Sequence, residues 1–222
     1  ETTTYGYDDL DRLASITYPV DAAYPLGRLV SYGYDAVGNR IRETEEDAAD
    51  VVLADKQGIF DNANRLTGLL DLVTPANGTT FTWDKNGNQL TKTTTGVTTE
   101  KRYDLRDKLI EAGQGASTLG RFQSDFEGRR IKKIGDEGLR QYVYDQTSLL
   151  AEYDAAGSPK AKYDYGSDRL ISLTRTDEPR RYFSLDGLRS VVNLTNDEGL
   201  AVASYHLDAW GNFRFPTELD AS

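Results

Sequence analysis

The stretch Tyr34-Asp35-Ala36-Val37-Gly38-Asn39-Arg40 decides the reading of this chain, because Tyr7-Asp8-Asp9-Leu10-Asp11-Arg12-Leu13 repeats its logic in other residues. An Asp opens each motif, and three places on stands a residue that tolerates a left-handed backbone. Asp at the first position of a four-residue turn accepts a hydrogen bond from the backbone two residues on, and Gly, Asn or Asp at the fourth supplies a positive φ. The pattern recurs at Asp8, Asp35, Asp61, Asp84, Asp104, Asp125, Asp145, Asp154, Asp164 and Asp208, with Asp11, Gly38, Asn64, Gly87, Asp107, Gly128, Ser148, Gly157, Ser167 and Gly211 three places on. Tyr, Phe or Trp directly precedes eight of these ten Asp residues, so the motif is a unit and not a scatter of acids. A period of about 20 residues with a turn inside each unit marks a repeat of strand, turn and strand.

The flanks agree with a hairpin. An aromatic three places before the Asp (Tyr5, Tyr32, Phe81, Phe122, Tyr142, Tyr205) shares a strand face with the aromatic one place before it. Beyond the turn comes a basic or amide residue and then an aliphatic one, as a half-buried antiparallel sheet requires. That aliphatic residue lies five places after Asp8, Asp61, Asp104 and Asp145 but six after Asp35, Asp84 and Asp125. The spacing predicts two alternating turn types, the longer with a bulge, and successive turns at opposite edges or on distinct layers. Residues 43–50, 93–99 and 113–120 read as loops, and no helical periodicity is sustained anywhere. The fold class is therefore all-β, with repeated antiparallel hairpins winding as a spiral sheet. Residues 1–181 form the hairpin array, and residues 182–222 differ in texture and read as a C-terminal repeat segment.

Composition sets limits on function. The 222 residues include no Cys and no Met, which excludes disulfides, thiol nucleophiles and Cys-bound zinc. A net charge of −10, with basic residues spread one to a hairpin, argues against a nucleic-acid partner. No apolar run approaches the roughly 18 residues that a membrane-spanning helix needs. The opening Glu1-Thr2-Thr3-Thr4 enters the first hairpin at once and reads as the interior of a longer chain.

The units 7–13 and 34–40 resemble the YD-repeat, or Rhs, family, and the resemblance spans nearly the whole chain. That family includes bacterial Rhs proteins, wall-associated proteins, Tc toxin C components and teneurins. The resemblance implies a β-sheet wound into a hollow shell, in some relatives around a C-terminal toxin freed at an aspartyl cleavage site in a core region. Residues 182–212 are similar to the stretch that leads toward that core region. The core and toxin are absent here, so neither protease nor toxin activity carries over.

Individual residues point the same way. Ten Asp in like surroundings are turn formers; a catalytic pair needs two carboxylates in unlike ones. The run 84–88, rich in Asp and Asn, could present oxygens to calcium, but each turn holds only one or two carboxylates. His206 is the only histidine, which rules out a multi-histidine metal site, and it falls in a strand-like run. Asp186 with Gly187, and Asp208 with Gly211, read as turns that could also help dock a core region. No catalytic, cofactor-binding or metal residue is assigned, and no cofactor is expected. The aromatic stripe packs between turns of the sheet, and open strand edges call for neighbours. The expected partners are the remainder of the parent polypeptide or its C-terminal cargo. The resulting expectation is a non-catalytic shell segment of a secreted or cell-surface protein. The alternatives are an adhesion module binding carbohydrate or a cell-surface protein through loops and aromatic faces, and an autoprotease.

Overall fold

In the computed structural model, residues 2–20, 25–167 and 169–213 are described. They fall into two compact units, residues 1–119 and 120–222. Strands dominate both, and the one helical turn among the described residues is the three-residue 3-10 turn Pro75–Asn77.

The first unit is a meander of antiparallel strands. Its members are β1 (Thr4–Tyr7), β2 (Leu13–Tyr18), β3 (Arg28–Tyr34), β4 (Arg40–Glu46), β5 (Val52–Phe60), β6 (Leu66–Asp71), β7 (Thr79–Trp83), β8 (Gln89–Thr94), β9 (Val97–Tyr103) and β10 (Leu109–Gln114). Each pairs with its chain neighbours. β11 (Ser117–Ser124) follows, and the second unit continues as β12 (Arg130–Gly135), β13 (Gly138–Asp145), β14 (Ser148–Tyr153), β15 (Pro159–Gly166), β16 (Arg169–Arg175), β17 (Arg181–Leu185), β18 (Val191–Thr195) and β19 (Ala201–Ser204), again neighbour to neighbour. The all-β reading of repeated antiparallel hairpins is what the chain forms.

In a meander, alternate connections return to the same edge. The turns at Asp8, Asp35, Asp61, Asp84 and Asp104 join β1–β2, β3–β4, β5–β6, β7–β8 and β9–β10, so all five line one edge of the first unit. The expectation of opposite edges fails for this reason: a second connection, from two to nine residues long, lies between each pair of Asp turns. Two of the predicted loops are such connections. Residues 93–99 run through β8, a two-residue turn at Thr95-Gly96 and β9, and residues 113–120 run through β10, another two-residue turn and β11. The acidic run 43–50 lies largely in β4 and ends in a further Asp turn at Asp47.

Little of this sheet is buried. Among the described residues five apolar ones qualify, namely Ile16, Tyr18, Val30, Ala161 and Ala203, and Ile16, Tyr18 and Val30 form a cluster with Leu13 and Tyr32 against it. Most strand side chains, on either face, are half-covered or exposed.

Candidate functional site: the Asp-turn edge

Each Asp turn of the first unit is built alike. The Asp8 N–H bonds the Arg12 carbonyl at 2.9 Å and the Asp11 N–H returns to the Asp8 carbonyl at 3.0 Å. Asp8 Oδ1 accepts the N–H groups of Leu10 (3.0 Å) and Arg12 (2.9 Å), and Oδ2 accepts Arg12 Nε at 2.7 Å. The same two backbone contacts hold at Asp35, Asp61, Asp84, Asp104 and Asp125. At Asp35, Asp61, Asp84 and Asp125 the second oxygen takes the side chain four places on, with Asn39, Arg65, Asn88 and Arg129 all 2.7–2.8 Å away, whereas at Asp104 it takes Arg106 at 3.2 Å. The fourth residue carries a positive φ whether it is Asp11 (57°), Asn64 (57°), Asp107 (59°) or Gly87 (90°). A turn of this kind closed by a left-handed residue matches the twist of the strands it joins.

The two turn types predicted from spacing are one turn. In every case the residue before the Asp pairs with the residue five after it, and the residue six after it is skipped as a bulge. Leu13, Leu66 and Leu109 occupy the paired position; Ile41, Leu90 and Ile131 occupy the bulge. Two residues there oppose one across the hairpin, so either position serves for the aliphatic side chain.

The alternation seen in sequence governs contacts between turns instead. Where the residue four after the Asp is Arg, it reaches the first carbonyl of the next turn: Arg12 to Asp35 at 3.3 Å, Arg65 to Asp84 at 2.7 Å. Where it is Asn, its amide reaches the fourth side chain of the next turn: Asn39 to Asn64 Oδ1 at 3.1 Å, Asn88 to Asp107 Oδ1 at 2.7 Å, with Asn86 adding 3.0 Å. The aromatic of the motif is a strut. Tyr34 and Trp83 donate to the carbonyls of Leu13 and Leu66, each at 2.8 Å, and Tyr103 donates to Gln89 at 3.1 Å. In the second unit Tyr144 donates to Arg130 at 2.9 Å. Partial burial pushes the Tyr34, Tyr103 and Tyr144 hydroxyls above the usual phenol range, which keeps them protonated as donors. The Arg12 guanidinium lies 4.6 Å over the Tyr34 ring and caps the strut.

The electrostatics identify the carboxylates as anionic acceptors. The Arg12 backbone N–H holds Asp8 below the usual carboxylate range, and side-chain donation from Arg65 and Asn88 does the same for Asp61 and Asp84. At Asp35 and Asp125 partial desolvation pulls upward, and the Asn39 and Arg129 hydrogen bonds outweigh it. A general acid near neutral pH needs the opposite shift, and a cation site needs oxygens free of donors. Both oxygens here face N–H groups.

Three sequence assignments change. Asp145 ends β13 opposite Ser148 in a two-residue hairpin with Gln146 at φ 49°, and its place in the motif list is mistaken. Asp164 lies within β15, where it accepts Ser172 Oγ at 2.9 Å and pairs with Lys162 at 2.9 Å; its left-handed residue is Ser167, beyond the strand. His206 follows β19 in irregular backbone and is exposed. Asp154, Asp186 and Asp208 form the full turn. Missed turns open at Asp47 and Asn196, where Asp50 and Gly199 hold the positive φ; an Asx three places before a left-handed residue was their signal, without the aromatic.

Other candidates are weaker. Ser172 donates to a carboxylate but is 2% exposed, out of reach of a substrate. Tyr163 donates to Glu152 at 2.6 Å, and burial pushes its hydroxyl well up. A cavity of about 440 Å³ is lined by Phe183, Val191, Leu194, Tyr205, Leu207 and Phe213, without converging polar groups.

The sequence profile of the teneurin YD-shell family matches residues 1–215. The chain is 29% identical over 201 residues to a tRNA3(Ser)-specific nuclease WapA of Bacillus spizizenii and 28% over 200 residues to a tRNA nuclease WapA of Bacillus subtilis. Each alignment takes in 88% of this chain and 8% of the relative, so the chain spans a small part of either protein. Among solved structures it is similar to a TcdB2–TccC3–TEV crystal structure, at 12% identity and a TM-score of 0.45, over 95% of this chain and 15% of that one. On the match over residues 1–215, the chain belongs to the teneurin YD-shell family.

Proposed function

We propose that this chain is a non-catalytic structural segment of a YD-repeat shell, which encapsulates or presents a C-terminal polypeptide of a secreted or cell-surface protein. Residues 182–222 then lead toward the core region of that shell. The observation that carries the reading is a sheet in which, among the described residues, five apolar side chains are buried and many large ones stay exposed. A sheet so lightly covered takes its remaining partners from the rest of its own polypeptide or from what it encloses. The Asp turns add support, because their carboxylates are spent on backbone N–H groups.

The relatives' names suggest a toxin-type cargo. In the full-length parent, limited proteolysis is expected to leave the C-terminal polypeptide intact until the repeat region is cut. Digestion at the rate of the free polypeptide would contradict encapsulation, and sugar-specific signal from the 222-residue chain on a glycan array would favour adhesion instead. Turnover of tRNA by the 222-residue chain alone would overturn the non-catalytic assignment.

A further inference from the structure

The first unit states its own docking rules. A turn with Asp or Asn at its fourth position receives an amide from the preceding turn, as Asn64 does from Asn39 and Asp107 from Asn88. A Tyr or Trp before the Asp donates to the preceding hairpin, to the carbonyl five after that hairpin's Asp. The first turn of the chain has both halves of this interface ready. Asp11 stands at the fourth position with φ 57°, and Tyr7 precedes Asp8. Tyr7 is 63% exposed, whereas Tyr34, Trp83 and Tyr103 are half-buried. Among the described residues neither the Tyr7 hydroxyl nor the Asp11 carboxylate has a hydrogen-bond partner, and β1 pairs on one side only, with β2.

We propose that the outer edge of β1 is a docking edge for one kind of partner, a YD-repeat β-hairpin of the Gly–Asn turn class. Its turn amide sits on Asp11 and its return-strand carbonyl takes the Tyr7 hydroxyl. Asp11 selects the class. Turns of the Arg class deliver their cation to a backbone carbonyl, and the turns that receive it, at Asp35 and Asp84, have Gly38 and Gly87 at the fourth position, with no side chain to offer. The proposal rests on the shell reading for the existence of a neighbouring repeat; its geometry comes from the repeats already present.

A copy of residues 79–96 placed directly before Glu1 tests it. In the chain that segment is followed by seven residues up to Tyr103, and Glu1 to Tyr7 is also seven, so spacing is preserved. Amide exchange across Thr4–Tyr7 should slow by about tenfold or more relative to the unextended chain. Asp11→Gly, which suits the positive φ, should return about threefold of that gain in the extended chain and change nothing in the unextended one. Replacing Asn88 by Arg in the added copy should cost the same. Unchanged exchange in β1, equal protection from the Arg version, or protection that grows with protein concentration and so reports a second copy, would each overturn the proposal. None of these readouts depends on an enclosed cargo, so a failure here is distinct from a failure of encapsulation.

Discussion

The two units use the same motif with different discipline. In residues 1–119 every Tyr-Asp, Phe-Asp or Trp-Asp pair opens a full turn, and each turn from Asp8 to Asp104 is tied to the next by a side chain. In residues 120–222 two of the aromatic–Asp pairs depart from the motif, Asp145 standing at a two-residue hairpin and Asp164 within a strand, and Asp154 opens a full turn on the opposite edge from Asp125. At Asp145 one difference lies four residues downstream. Arg12, Asn39, Arg65 and Asn88 offer N–H groups to the second carboxylate oxygen, whereas Asp145 has Leu149 there. The aromatic is a docking strut, and the Asp with its left-handed residue makes the turn, since Asp104 and Asp154 close theirs with no donor side chain four places on.

This contrast can be broken most forcefully in the core. Ile16 is fully buried, and Ile16→Ala should cost about 3 kcal/mol or more through transfer and cavity terms. Ile171, 46% exposed in the second unit, should cost less than about 1 kcal/mol on the same change. Denaturant unfolding of the two variants reads both values. Equal losses would mean that the second unit has a core as tight as the first.

A finer test compares carboxylates. Asp61→Ala removes three hydrogen bonds of a full turn, and exchange of the Gly68 and Leu69 amides should speed by about tenfold. Asp145→Ala, at a two-residue hairpin, should leave its neighbours within about twofold. Finer still is the strut: Tyr34→Phe deletes the hydrogen bond to the Leu13 carbonyl and should cost about 1 kcal/mol, leaving the ring contact with Arg12 in place.

Much of this was legible in the residues. The Asp positions, the left-handed residues and the antiparallel strands follow from turn chemistry that acts within five residues. What acts across hairpins was not. The five-or-six spacing of Leu13 and Ile41 pointed to two turns, because a bulge lets neighbouring positions share one role and that sharing shows only in the register. The loops predicted at Thr95-Gly96 and after Gln114 were hidden by small polar residues that suit a two-residue hairpin as well as a longer loop. Asp164 misled because its Tyr and its Ser three places on fit the motif, while the pairing of β15 with β16 carries the strand past it.

The account stands or falls on the turn carboxylates being acceptors for backbone N–H groups. In the folded chain their pKa is depressed below the ordinary 3.8, so the stability they contribute is complete above that pH and is lost as pH falls through the lower folded values. A proton-exchange-resolved NMR titration of Asp61 tests this directly, following its carboxyl carbon together with the Ala63 and Arg65 amides. The account predicts a midpoint below 3.8, with both amide protons moving in step with the carboxylate. A midpoint at or above 3.8 with the two amides unmoved would contradict it.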